Sequence, residues 1–149
     1  MNYLGVYHSS YPRSTAGVCD APCVSKGRTM LCARETASEG YLLAMVYGRI
    51  RNRAELSCLL RCDPGTGSAH LALLAYREWG NDYPRHIEGP AVTCVMDASS
   101  DQMVLSRDRM GEQPVFYSVS DEGRVVFSDH PDSLLKTASA EPVGPLGHV

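Results

Sequence analysis

Val104-Leu-Ser-Arg-Asp-Arg-Met-Gly-Glu-Gln-Pro-Val-Phe-Tyr117 is the stretch on which the reading of this chain turns. Two strand-like apolar runs flank a charged corner, Arg107-Asp108-Arg109-Met110-Gly111. An aspartate between two arginines can hold both guanidiniums by paired hydrogen bonds. Gly111 permits a positive φ, and Pro114 opens the following strand without a backbone donor. Taken alone, this is a rigid, internally neutralised turn of the kind any antiparallel sheet carries.

Outward from that corner the pattern is regular. Downstream of residue 90, strands are expected over 91–96, 103–106, 115–119 and 125–128, separated by Asp/Ser, Arg/Gly and Asp/Gly turns, an antiparallel meander. His130-Pro131-Asp132-Ser133 starts a final helical turn carrying Leu134 and Leu135, and residues 141–149 read as a loose tail or linker. Upstream, residues 41–47 are almost continuously apolar, which predicts a strand buried on both faces and broken by Gly48. Asn52-Arg53-Ala54-Glu55 has the spacing of an N-cap with a back-bonding glutamate, followed by Leu56, Leu59 and Leu60 at helical intervals. A second helix is predicted over 68–79, burying Leu71, Ala72, Ala75 and Trp79 and stopping at Gly80. Strands over 4–8 and 29–33 precede these elements, with 9–27 as an extended loop. The sum is an α+β domain over 1–140 with packed antiparallel sheets.

A chain of 149 residues with 44% hydrophobic composition has the material for one domain. A net charge of -3 with no basic block argues against nucleic acid or an anionic membrane as the principal partner. No apolar run is long enough to span a bilayer and the start lacks a secretory pattern, which predicts a cytoplasmic protein and six reduced cysteines. Cys58 and Cys62 lie one helical turn apart, and Cys19, Cys23 and Cys32 lie near the early loop. The paired C-x-x-C spacing of a zinc site is missing, so no metal is assigned. His70 has no evident Asp or Asn partner and reads as structural or exposed, and Tyr76 with Trp79 as core or lid packing.

Four segments together resemble one family. Gly48-Arg-Ile-Arg-Asn-Arg-Ala-Glu-Leu56, Leu74-Ala-Tyr-Arg-Glu-Trp-Gly80, the stretch 107–117 and Phe127-Ser-Asp129 are similar, in order and separation, to motifs of class II glutamine amidotransferases, especially the N-terminal domain of asparagine synthetases. The resemblance implies an N-terminal-nucleophile hydrolase fold, an α/β/β/α sandwich with two antiparallel sheets. Active members use an N-terminal cysteine whose own amine is the base. Here the family's Cys-Gly-Ile aligns with Leu4-Gly5-Val6, which puts Leu4 at the nucleophile position. The oxyanion-stabilising Asn corresponds to Tyr47, Gly48 survives, the ammonium-binding Glu is Arg49, and the Asp at the start of the second helix is Ser68. A cation at 49 repels a glutamine α-amino group.

What the resemblance therefore implies is a glutaminase-like domain with no catalytic residues of its own. Similar degenerate domains precede the ATP-dependent synthetase domains of β-lactam-forming synthetases and lasso-peptide cyclases. The expected partner is an asparagine-synthetase-like ligase domain or subunit, with a precursor peptide as a further candidate. ATP and Mg are expected only on that partner, because the Ser-Gly-Gly-x-Asp-Ser pyrophosphate loop is absent here. Arg107, Asp108, Arg109, Gly111, Pro114 and Tyr117 are then structural or partner-docking residues. Two alternatives stand beside this one: an active amidotransferase supplying ammonia through another nucleophile, and a peptide-recruiting module or homodimer formed through a sheet.

Overall fold

The computed structural model describes residues 3–7, 23–26, 29–121, 123–132, 134 and 147–148. Ten strands are present among them: β1 Tyr3–Tyr7, β2 Cys23–Lys26, β3 Thr29–Ala33, β4 Glu35–Glu39, β5 Leu42–Gly48, β6 Ala91–Asp97, β7 Gln102–Arg107, β8 Phe116–Val119, β9 Val125–Ser128 and β10 Gly147–His148. Two helices, α1 Arg53–Leu59 and α2 Ser68–Trp79, and a 3-10 segment, Gly80–His86, lie between β5 and β6. The strands form two antiparallel sheets, ordered β10-β8-β9-β1-β3-β2 and β4-β5-β6-β7. This is the α+β architecture with two antiparallel sheets that the sequence predicts.

The layers follow from side-chain alternation. Along β5, Leu42, Ala44 and Val46 face the helices and pack with Leu71, Ala72 and Ala75 of α2. Leu43 and Met45, on the other face, meet Leu31, Ala33 and Phe127 of the six-stranded sheet. A strand covered on both sides needs apolar residues at every position, which is why 42–46 reads as a continuous run. On the outer face of the six-stranded sheet, Leu4, Val6, Cys32 and Val126 are covered by Leu134. Pro131, Asp132 and Leu134 are helical, as expected, while Ser133 and Leu135 lie outside the described residues.

Several expectations change. The strands after residue 90 are not one meander: β6 and β7 pair in the four-stranded sheet, β8 and β9 in the six-stranded one. Residues 108–115 carry the chain from one sheet to the other, so the charged corner is a crossover. β2 and β4 were not foreseen, and most of the loop expected over 9–27 lies outside the described residues. Within the stretch expected to be a tail, Gly147 pairs with Tyr117 and His148 with Phe116. Asn52 does not cap α1 with its side chain. Its amide instead bridges the 86–88 segment, donating to the His86 carbonyl (2.7 Å) and accepting from the Glu88 N–H (3.0 Å). Leu59 is exposed, while Leu56 is fully buried.

Cys32 is disulfide-bonded, contrary to the expectation of six reduced thiols; Cys58, Cys62 and Cys94 are free. Spacing along the chain does not show that β2 lies beside β3, with Cys23 opposite Cys32 in register. No helix among the described residues is long and apolar enough to cross a membrane.

Candidate functional site

The region to which the sequence points is the end of the inter-sheet layer where β1 begins and β5 ends. The pleat of β1 sends Leu4 and Val6 to the outer face and Tyr3 toward the other sheet. Leu4, the position aligned with the family's nucleophile, thus lies among Val6, Cys32, Val126 and Leu134. Tyr3 stands where β1 meets the second sheet. Its ring is fully buried, with its centroid 5.3 Å from that of Tyr47 and 6.2 Å from that of Phe127.

Polar contacts fix this tyrosine at both ends. Its hydroxyl donates to the Pro114 carbonyl. Its own carbonyl accepts from Ser128 Oγ (3.0 Å), which in turn accepts the His130 N–H (3.2 Å). Burial pushes the Tyr3 hydroxyl well above the ordinary tyrosine range, with Asp129 and Tyr47 adding to the rise and Arg107 opposing it. A neutral phenol committed to a carbonyl is neither a nucleophile nor a base at neutral pH.

Gly48 closes β5 at φ 102, and a side chain there would place its Cβ 2.2 Å from the Pro90 carbonyl oxygen. The chain can then run on extended: the Arg49 N–H donates to that oxygen (3.0 Å) and the Arg51 N–H to the Glu88 carbonyl (2.7 Å). Arg49 itself is exposed. Ser68 sits buried at the first turn of α2. Its N–H donates to Glu35 Oε2 (3.1 Å), and its hydroxyl accepts from Arg53, which also donates to the Thr66 carbonyl (2.6 Å). A carboxylate at a helix N-terminus is well placed against the helix dipole. The structure therefore joins Tyr47 to Tyr3, and ties Ser68 to Arg53 and Glu35. Sequence reasoning missed Tyr3, Arg53 and Glu35. Tyr3 was legible in the period-2 alternation of β1; the other two contacts depend on tertiary placement.

The crossover completes the region, and here the expected pairing of Asp108 with two guanidiniums is corrected. Asp108 Oδ2 accepts from the Glu112 N–H (3.0 Å), its carbonyl accepts from Gly111 (3.1 Å), and its N–H donates to Ala91 (3.1 Å). Its Oδ1 is buried without a hydrogen-bond partner among the described residues. The backbone N–H four residues on is closer than either arginine once the chain turns, so the carboxylate caps the turn instead. Arg107 folds across Gly111: at φ 65, a Cβ added there would stand 3.3 Å from Arg107 Nη1. Arg109 points to solvent and Pro114 presents its carbonyl to Tyr3. Tyr117 pairs with Phe127 in register and packs on the inter-sheet core.

Three free thiols lie among the described residues. Cys94 is buried in β6, and burial pushes its thiol far up, which suppresses the reactive thiolate. Cys58 is exposed on α1 and Cys62 lies beyond the end of that helix. His70 is on the surface of α2, 3.8 Å from Glu39, which also pairs with Arg77 at 2.8 Å. Among the described residues no group of three or more His, Cys, Asp or Glu side chains is arranged to hold a metal ion.

The model of the glutamine amidotransferase domain family matches residues 37–143. Among solved structures, the chain is similar to glutamine phosphoribosylpyrophosphate amidotransferase from B. subtilis, complexed with ADP and GMP, at a TM-score of 0.57 and 10% identity. The alignment covers 83% of this chain and 31% of that one, so this chain spans about a third of that enzyme's length. At that identity the likeness is one of fold. No curated protein sequence matches.

Proposed function

Starting from the fact that this chain belongs to the glutamine amidotransferase domain family, we propose that it is a glutaminase-like domain that does not hydrolyse glutamine. Its role is to support an asparagine-synthetase-like, ATP-dependent amide ligase. The observation that carries the reading is Tyr3. Where β1 opens into the inter-sheet layer beside Tyr47, the space is filled by a buried phenol bonded to the Pro114 carbonyl, while Leu4, which the resemblance aligns with the nucleophile, faces the outer layer; neither supplies a thiol carrying its own amine. Two further positions fit the reading: Arg49 presents a cation where the resemblance calls for an ammonium-binding carboxylate, and the Ser68 hydroxyl is occupied by Arg53.

A ligase whose substrate already carries its amine has no use for ammonia, which is the circumstance of lasso-peptide macrocyclases and β-lactam-forming synthetases. In this proposal ATP and Mg belong to the partner's synthetase domain, and this chain shapes or stabilises that domain's active site. The test is ammonia release from glutamine by the purified chain. No release above the uncatalysed background is expected. Turnover abolished by substituting one cysteine would overturn the reading in favour of an active amidotransferase.

A further inference from the structure

The four-stranded sheet has two edges, and they differ in chemistry. β4, Glu-Thr-Ala-Ser-Glu, carries a charge at each end, the usual guard against strand addition. Among the described residues β7, Gln-Met-Val-Leu-Ser-Arg, pairs with β6 alone, and it carries no charge, proline or glycine between Met103 and Ser106. Beyond the ladder to β6, the described contact to a backbone group of 103–106 is one long bond, Tyr83 hydroxyl to the Val104 carbonyl at 3.4 Å.

We propose that β7 is an interaction edge and that its occupant is β7 of a second copy, antiparallel about a two-fold axis normal to the sheet. That operation keeps each face of the sheet on its own side, so residues opposite one another must have numbers summing to an even value. Centred on Val104, the register sets Val104 against Val104, Met103 against Leu105 and Gln102 against Ser106 of the second copy. The register ends there, because Asp101 lies in the preceding turn at φ 58 with its carboxylate bonded to the Tyr7 hydroxyl (3.1 Å). Apolar residues meet apolar residues and no like charges face each other. The same operation on β4, centred on Ala37, sets Glu35 against Glu39 twice and is repelled. Pairing through β7 yields a continuous eight-stranded sheet with both helical layers on one side. It also places the crossover of one copy, with Met110 at 83% exposure, beside the 98–101 turn of the other. There the Ala98 N–H holds the Tyr41 carbonyl, and Tyr41 is 69% exposed.

The experiment is sedimentation equilibrium of the full chain in a Cys58→Ser background, which removes the exposed thiol. A dimer is expected at about 100 μM. Gln102→Lys with Ser106→Glu places two unlike pairs across the axis and should tighten the dimer roughly twofold to thirtyfold; Gln102→Lys with Ser106→Lys should loosen it by a similar factor. Gln102 is exposed and Ser106 half-buried, and far-UV circular dichroism checks that both variants fold. If the repulsive variant fails to fold, tightening in the attractive variant still decides the matter. A monomer up to about 500 μM overturns the proposal. So does a dimer that neither variant moves, because it uses another surface.

Discussion

Replacing Tyr3 by Phe removes one oxygen from the centre of the candidate site and tests whether the phenol is the buried, neutral donor described above. At pH 7 the loss is one hydrogen bond to a carbonyl. The bond is part-buried and the carbonyl keeps its second lone pair, so the cost should stay near the ordinary ~1 kcal/mol. The ring, its contacts with Tyr47 and Phe127, and the ~3–5 kcal/mol that truncation to Ala forfeits are all retained by Phe. The alkaline range is more diagnostic. The folded-state pKa of Tyr3 lies above its unfolded value of about 10, so its contribution is intact below pH 10. Above pH 10 the unfolded chain releases a proton that the folded chain keeps, and stability falls by ~1.4 kcal/mol per pH unit for this one group. Tyr83 and Cys94 are raised in the same sense by burial, and both are present in parent and variant. The difference between the two proteins therefore isolates Tyr3. Urea unfolding at intervals between about pH 9.5 and 11.5 should give parent and Tyr3→Phe lines that converge as pH rises, meet at about pH 10.7 and cross above it. Parallel lines would show that Tyr3 ionises as freely in the fold as out of it, and the buried-phenol argument would fall.

The crossover and the β6–β7 turn give two more expectations. Gly111→Ala forces an L side chain into φ 65 and presses its Cβ toward Arg107 Nη1, so a loss of ~1–2 kcal/mol is expected in thermal unfolding, with Gly111→Asn losing less. An unchanged midpoint for the alanine variant would mean that the turn relaxes freely. Asp97 is pulled upward by burial, but bonds from Ser99, Ser100 and Tyr76 outweigh this and hold its carboxyl below the usual range. Its contribution is present above the unfolded value of about 3.9 and disappears as pH falls through the lower folded value. Asp97→Asn should lower stability at pH 6 and flatten the acid limb below about pH 4; an acid limb identical to the parent's would refute the assignment.

How much of this was visible in the residues depends on where each element gets its stability. α2 was read with the observed bounds because its apolar stripe and Gly80 are local signals. β9 was equally legible. β4 was not: Glu-Thr-Ala-Ser-Glu has no apolar alternation and becomes a strand through its ladder to β5, a tertiary contact that propensity does not carry. Asp108 shows the same limit for charge, since counting arginines beside a carboxylate ignores the backbone donor that the turn brings nearer. The family resemblance points to Leu4 through a Gly-Val match but carries no information on facing: the pleat sends Leu4 to the outer layer and its neighbour Tyr3 to the inter-sheet layer.

The two-sheet arrangement also imposes an order of assembly. The four-stranded sheet and its helices come from a continuous stretch, 35–107, whereas the six-stranded sheet takes strands from both sides of it. On a ribosome, the inner stretch can collapse as it emerges. β1 pairs early with β3, but its second edge waits for β9, and the bond from Ser128 to the Tyr3 carbonyl spans 125 positions. Such long-range closure is slow and leaves an apolar edge open in the meantime. The last event in folding is then the arrival of the second half of the outer sheet, which makes truncation before residue 125 a route to aggregation rather than to a smaller working domain.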